Sequence, residues 1–121
     1  MTEILNSKRY DLEDRTFRFA KEVRAFVAKL PKTTSSIEDS KQLIRSSGSV
    51  GANYIEANES LSKKDFAMRI KISRKESKES IYWLKLIDTA NANNLETERE
   101  RLVKEANELM KIFGSILIKA Q

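Results

Sequence analysis

Residues 45–70 read RSSGSVGANYIEANESLSKKDFAMRI, and they set a small-residue helix face beside a sharply marked helix start. Ser46, Ser47, Gly48, Ser49, Gly51 and Ala52 carry almost no side-chain bulk over two turns. Asn53, Glu56 and Asn58 then place polar groups where an ordinary core helix would carry leucine. Each glycine inside a helix costs about 1 kcal/mol relative to alanine, so two of them imply a compensating close contact or a local break. Ser62-x-x-Asp65 opens the next helix as a capping-box-like start, the Ser62 hydroxyl meeting an orphan N–H and Asp65 favoured by the dipole. The stretch is a helical hairpin.

Outward from it the chain reads as more helix. Three glycines and one proline in 121 residues leave little material for β-hairpin turns, while apolar residues recur at three- and four-residue steps. The class is all-α. A first helix runs from Leu12 or Glu13 to Leu30, with Phe17, Ala20 and Val27 on one stripe and Phe19, Val23, Phe26 and Leu30 on its neighbour; Pro31 stops it. A second begins after the polar link 32–35, with Ser36 and Asp39 as its cap, and turns Ser40, Leu43, Ser47, Val50, Tyr54, Ala57 and Leu61 inward. The third, from Ser62 to about Asn91, faces the core with Phe66, Ile70, Ser73, Ser77, Ile81 and Leu84. The asparagines around Asn91 end it, since asparagine tolerates the left-handed conformation. Thr97 with Glu100, or else Asn94, caps the fourth, whose apolar positions run from Leu102 to Ala120. Four helices with short links give an antiparallel up-down-up-down four-helix bundle over residues 1–121, with residues 1–10 expected to be flexible.

The quoted hairpin is similar to the four-helix-bundle family of bacterial 23S rRNA intervening-sequence proteins, also called the S23 ribosomal protein family. The residues that carry the likeness are Gln42-Leu43-x-Arg45-Ser46-Ser47, Ala52-Asn53-x-x-Glu56-Ala57, Ser62-x-x-Asp65-Phe66 and Glu79-x-x-Tyr82-Trp83-Leu84. Family members often have an apolar residue where Gly51 stands and glycine where Ala57 stands. The resemblance implies a bundle assembled into a ring, a pentamer of the chain itself, associated with nucleic acid and without enzymatic activity. Similar bundles include the accessory protein of diversity-generating retroelements, so ribosomal RNA and a reverse transcriptase are the partners the resemblance suggests.

Composition narrows the chemistry independently. The chain has neither cysteine nor histidine. It therefore lacks His and Cys metal ligands, Ser-His and Cys-His nucleophile pairs, and a histidine acid–base catalyst. No cofactor is expected. The absence of disulfides fits a reducing compartment, and no stretch approaches the roughly 18 apolar residues of a membrane span, so the expectation is a cytoplasmic protein without membrane contact. Glu76 with Glu79, and the acids around Glu96, Glu98 and Glu100, are weak candidates for paired-carboxylate chemistry; Glu76 and Glu79 read as surface residues paired with neighbouring lysines.

The net charge of +5 is unevenly placed, with eight basic residues against three acidic ones between Ser62 and Lys85 and near balance elsewhere. On an ideal helix Lys64, Lys71, Lys75, Lys78, Tyr82 and Lys85 fall within an arc of roughly 80°, with Arg74 on its flank. This lane is either a solvated face or a phosphate-tracking stripe with Tyr82 available for stacking. Ile72, Trp83 and Ile87 cluster on a different flank, and Ile112 and Ile118 are surplus to the inward stripe of the fourth helix. They either cover the edges of a wide core or form a subunit interface anchored by Trp83. Asn53 and Glu56 read as a polar pair satisfied from the third helix by Arg69, Lys63 or backbone, or else as part of a binding groove.

Overall fold

The computed structural model describes the backbone of residues 2–120 and the side chains of residues 11–120. Four helices follow one another: α1 (Thr2–Ala28), α2 (Thr34–Asn58), α3 (Lys63–Leu86) and α4 (Asn93–Ala120). Each packs on its neighbours in the cycle α1–α2–α3–α4–α1, and among the described residues no diagonal pair of helices brings its backbones close. The pairings run antiparallel. Thr16 and Arg24 of α1 lie against Gly51 and Gly48 of α2, and Arg15, Glu22 and Lys29 pair with Glu105, Arg101 and Glu98 of α4.

The α1 backbone is helical from Thr2, earlier than the Leu12 start that apolar spacing suggested. The expectation of flexibility over residues 1–10 lies outside the described side chains. At its other end α1 stops at Ala28, and Leu30 donates its N–H to Val27 in a closing turn. The cap of α2 is Thr33 rather than Ser36: the Thr33 hydroxyl accepts the Ser36 N–H at 3.2 Å, and Ser36 is buried in the first turn. Ser62 caps α3 as expected, its hydroxyl accepting the Asp65 N–H at 3.1 Å. Helix α4 starts at Asn93, ahead of Asn94 and Thr97, with the Ala92 carbonyl accepting the Glu96 N–H.

Helix α3 ends at Leu86, five residues short of Asn91, because Ile87 leaves the helical conformation and turns into the core. Ala90 and Asn91 both take positive φ, and Asp88 accepts the Ala90 N–H at 2.8 Å to tighten the turn. The carbonyls left open at this helix end are met from α4. Arg99 donates to the Leu84 carbonyl at 3.1 Å, to Lys85 at 3.3 Å and to Ile87, while Glu96 and Thr89 hold its guanidinium.

The core is built from Phe19, Val23 and Phe26 of α1, Leu43 and Val50 of α2, Ile70 and Leu84 of α3, and Leu102, Leu109 and Phe113 of α4. Tyr54 reaches across to Phe113, ring centroids 5.7 Å apart. Two residues of the expected inward stripes are outside it: Phe17 is 64% exposed and Leu61, beyond the end of α2, is fully exposed. The α2–α3 seam is made of small hydroxyl residues. Ser46 and Ser80 meet at 2.9 Å, and Ser73 donates to the Val50 carbonyl at 2.9 Å. Among the described residues, no helix is long and apolar enough to cross a membrane.

Candidate nucleic-acid interface

The Ser62 cap sets the phase of α3, and from there the sequence order assigns each side chain to a face. Ile70, Ser73, Ser77, Ser80 and Leu84 are buried. Lys64, Lys71, Arg74, Lys75, Lys78, Tyr82 and Lys85 are all exposed, so the structure gathers the basic lane on the outer surface of α3. Among the described residues none of its six cations forms an ion pair. Arg15, Arg18, Lys29, Arg45, Arg99 and Arg101, by contrast, each meet a carboxylate. Arg74 lies along the α3–α4 groove, its Nε 3.7 Å from where a Cβ at Gly114 would stand.

The carboxylates of α3 are drawn away from the lane. Glu76, expected on the surface among lysines, is buried at 4% exposure and meets Arg45 of α2 at 3.4 Å. Glu79 turns the same way, one oxygen buried and 3.6 Å from the same guanidinium. Burial and then the neighbouring Glu79 carboxyl push the Glu76 carboxyl above the usual range, against the opposing pull of Arg45 and Lys75. Asp65 stays in the first turn, where it favours the helix dipole. Chemically, the face offers exposed point charges and one exposed aromatic ring.

Tyr82 stands inside the lane at 60% exposure. Its ring meets that of Trp83 nearly at right angles, centroids 5.0 Å apart and planes at 82°.

The expected subunit-interface residues do not form one patch. Ile87 is a core residue at 1% exposure, because the chain turns inward where α3 ends, so it cannot serve an interface. Trp83 and Ile112 are half-buried against the core, and Ile72 is half-buried. Ile72 and Trp83 share the flank of α3 from which Glu76 reaches α2, whereas Ile118, 74% exposed, lies in the α3–α4 groove beside Arg74. The polar pair also divides. Asn53 accepts a hydrogen bond from Arg69 at 2.9 Å and so ties α2 to α3, whereas the exposed Glu56 carboxylate pairs with none of the described residues. Glu56 therefore holds no helix packing through its side chain.

Two surface features lay beyond sequence reasoning. One is an apolar groove of about 320 Å³ between α1 and α2, where Phe17 and Ile55 stand over Ala20, Ala52, Gly48 and Gly51. Its signal was present in the two glycines, but only the packing of α1 on α2 reveals that Phe17 stays outside. The other is a charged cleft between α1 and α4, where Arg15 makes a bidentate pair with Glu105 at 2.8 Å and reaches Glu108 at 2.9 Å. These bonds raise the Arg15 pKa further and keep the cleft internally neutralised.

Comparison with known proteins supplies the remaining observations. A family model described as 23S rRNA-intervening sequence protein matches residues 8–115. Among solved structures, a protein with unknown function from the S23 ribosomal protein family of Bacteroides thetaiotaomicron VPI-5482 is 28% identical, over 91% of this chain and 97% of that one, with a TM-score of 0.78. Comparison with curated proteins finds no match.

Proposed function

The chain belongs to the family of 23S rRNA-intervening sequence proteins, and from that premise we propose that it is a non-enzymatic, homo-oligomeric four-helix bundle of the cytoplasm that binds RNA or DNA through the basic face of α3. The observation that carries this reading is the exposed lane: six cations on one helix face, none of them in an ion pair with a described carboxylate. Phosphates would take that place. Each phosphate neutralised by a lysine or arginine releases condensed counterions, and that release supplies the affinity. Base readout is not part of the proposal, because lysines are point charges without the bidentate geometry of groove recognition.

Assembly belongs to the same reading. Exposed apolar side chains sit on opposite sides of the bundle, Phe17 and Ile55 over the α1–α2 groove and Ile118 in the α3–α4 groove. Two different patches on opposite sides suit a head-to-tail contact between copies, the kind that closes into a ring. A ring would repeat the basic lane by symmetry, so modest contacts per subunit would add through avidity. Ribosomal RNA is the first ligand to try, and a reverse transcriptase the first protein partner, both on the strength of the family resemblance.

The test is binding to RNA and DNA of unrelated sequence as salt is varied. The wild type should bind with little base preference, log affinity falling against log salt with a slope of about −0.9 per phosphate contacted on duplex DNA. Reversing charge at Lys71, Lys75 and Lys78 should lower both affinity and slope without changing helicity, since all three side chains are exposed. If the wild type binds nothing at low salt, the lane is a solvated face, and the apolar α1–α2 groove favours an oligomeric scaffold in its place.

A further inference from the structure

The placement of Tyr82 points to a narrower ligand than nucleic acid in general. We infer that Tyr82 is a base-stacking platform within the cationic lane, so that the ligand of this face is a single-stranded polynucleotide rather than a duplex. The inference rests on the nucleic-acid reading of α3 and specifies it.

Three observations carry it. First, Tyr82 occupies the same angular position as the lysines: the order Lys71, Lys75, Lys78, Tyr82, Lys85 steps by four and three residues, so cations stand one turn before and one turn after the ring. Second, the ring is open but braced. It keeps 60% of its surface exposed, and a perpendicular contact with Trp83 takes one face or one edge of it, leaving a face free at little further cost in side-chain freedom. Third, the nearest acidic side chain on its own helix, Glu79, is turned toward Arg45 of α2, which draws its charge away from a backbone lying beside the ring.

A charged groove combined with an exposed aromatic is the pattern that binds unpaired strands, since every base has a face to stack whatever its identity. A duplex hides those faces between its own base pairs and offers the lane only phosphates. The tyrosine would then contribute nothing. Binding should therefore discriminate strandedness at Tyr82 and charge at the lysines, two separable effects on one helix face.

The experiment compares four ligands of equal length on the full chain: an oligouridylate, an oligothymidylate, a duplex, and a backbone of abasic sites that carries phosphates without bases. Trp83 is the chain's single tryptophan and touches Tyr82, so its fluorescence reports on this position alone. The ribose and deoxyribose arms distinguish the two sources of single strand, and base-dependent binding in either supports the inference. Stacking of one or two bases should give roughly ten- to hundredfold tighter binding of the oligonucleotides than of the abasic backbone, with a change in Trp83 emission. Tyr82→Ala should remove that difference while leaving the salt slope in place, and Tyr82→Phe, which keeps the ring and loses the hydroxyl, should restore it. Equal binding of abasic and base-bearing strands, or an alanine variant that binds as the wild type does, would overturn the stacking role and leave the phosphate reading standing. Failure of all four ligands to bind at low salt would overturn both.

Discussion

Gly51 and Thr16 mark the closest approach of α1 to α2. A Cβ at Gly51 would lie 2.8 Å from the Thr16 hydroxyl oxygen and 3.1 Å from its Cβ. Thr16 cannot easily give way, because it is buried, β-branched and bonded back to the Leu12 and Glu13 carbonyls at 2.9 and 3.0 Å. Gly51→Ala therefore sets a gain of about 1 kcal/mol in helix propensity against overpacking that typically costs 1–3 kcal/mol. The expected outcome is a net loss of about 1 kcal/mol by chemical denaturation, recovered when Thr16→Ala is added. A single variant more stable than the wild type would show that the contact does not limit the packing. The small-residue run 46–52 made a close approach legible, but the partner residue was not, since Thr16 stands far away in sequence.

Among elements, the α2–α3 seam depends on hydroxyls and on one buried acid. Serines let the two backbones approach and satisfy their own polar groups, as Ser77 and Ser80 do by donating to the Ser73 and Glu76 carbonyls at 2.9 Å. Glu76 is the exception, with Glu79 and Lys75 from its own helix and Arg45 from α2 as the charged groups around it. Its pKa is raised in the folded state, so its contribution to stability is fully present below the ordinary carboxylate range and is lost as pH rises through the elevated value. Mild acidification from neutral pH should therefore raise the melting temperature. Glu96, lowered by its bonds from Arg99 and Thr89, acts in the opposite sense and at more acidic pH, so the two windows separate. Glu76→Gln should melt no lower than the wild type at neutral pH, by thermal scans across the pH series, and should lose the upward trend. A variant that melts several degrees lower with the trend intact would mean that the Arg45 pair outweighs the burial.

For the whole molecule the question is what covers the apolar surface left by the bundle. Phe17 and Ile55 are 64% and 48% exposed over one groove, and Ile118 is 74% exposed on the opposite side. Exposed apolar side chains over a groove are available to a second copy of the chain. Light scattering at micromolar concentration should give a mass above that of one chain, and Phe17→Lys with Ile55→Lys should reduce it to the monomer without loss of helicity, because neither side chain is in the core. Trp83→Ala should behave differently, lowering stability as well, since Trp83 packs against the core. A monomeric wild type would remove the proposed assembly and with it any avidity of the basic lane.

Residue order alone determined the class, the number of helices and the identity of the charged face, for a local reason. Helical periodicity puts Lys64, Lys71, Lys75, Lys78, Tyr82 and Lys85 on one side whatever α3 packs against, and the Ser62 cap is a contact between residues three apart. Tertiary structure decided the rest. Periodicity ranks faces but cannot say how wide the buried arc is, so Phe17 fell outside it and Glu76 inside it. Nor can it say where a helix yields to a better contact, as α3 does at Ile87, which leaves the helix for the core while Arg99 of α4 bonds the carbonyls left behind. Those outcomes depend on which neighbour arrives from elsewhere in the chain and at what distance, and no local pattern encodes a distance between helices.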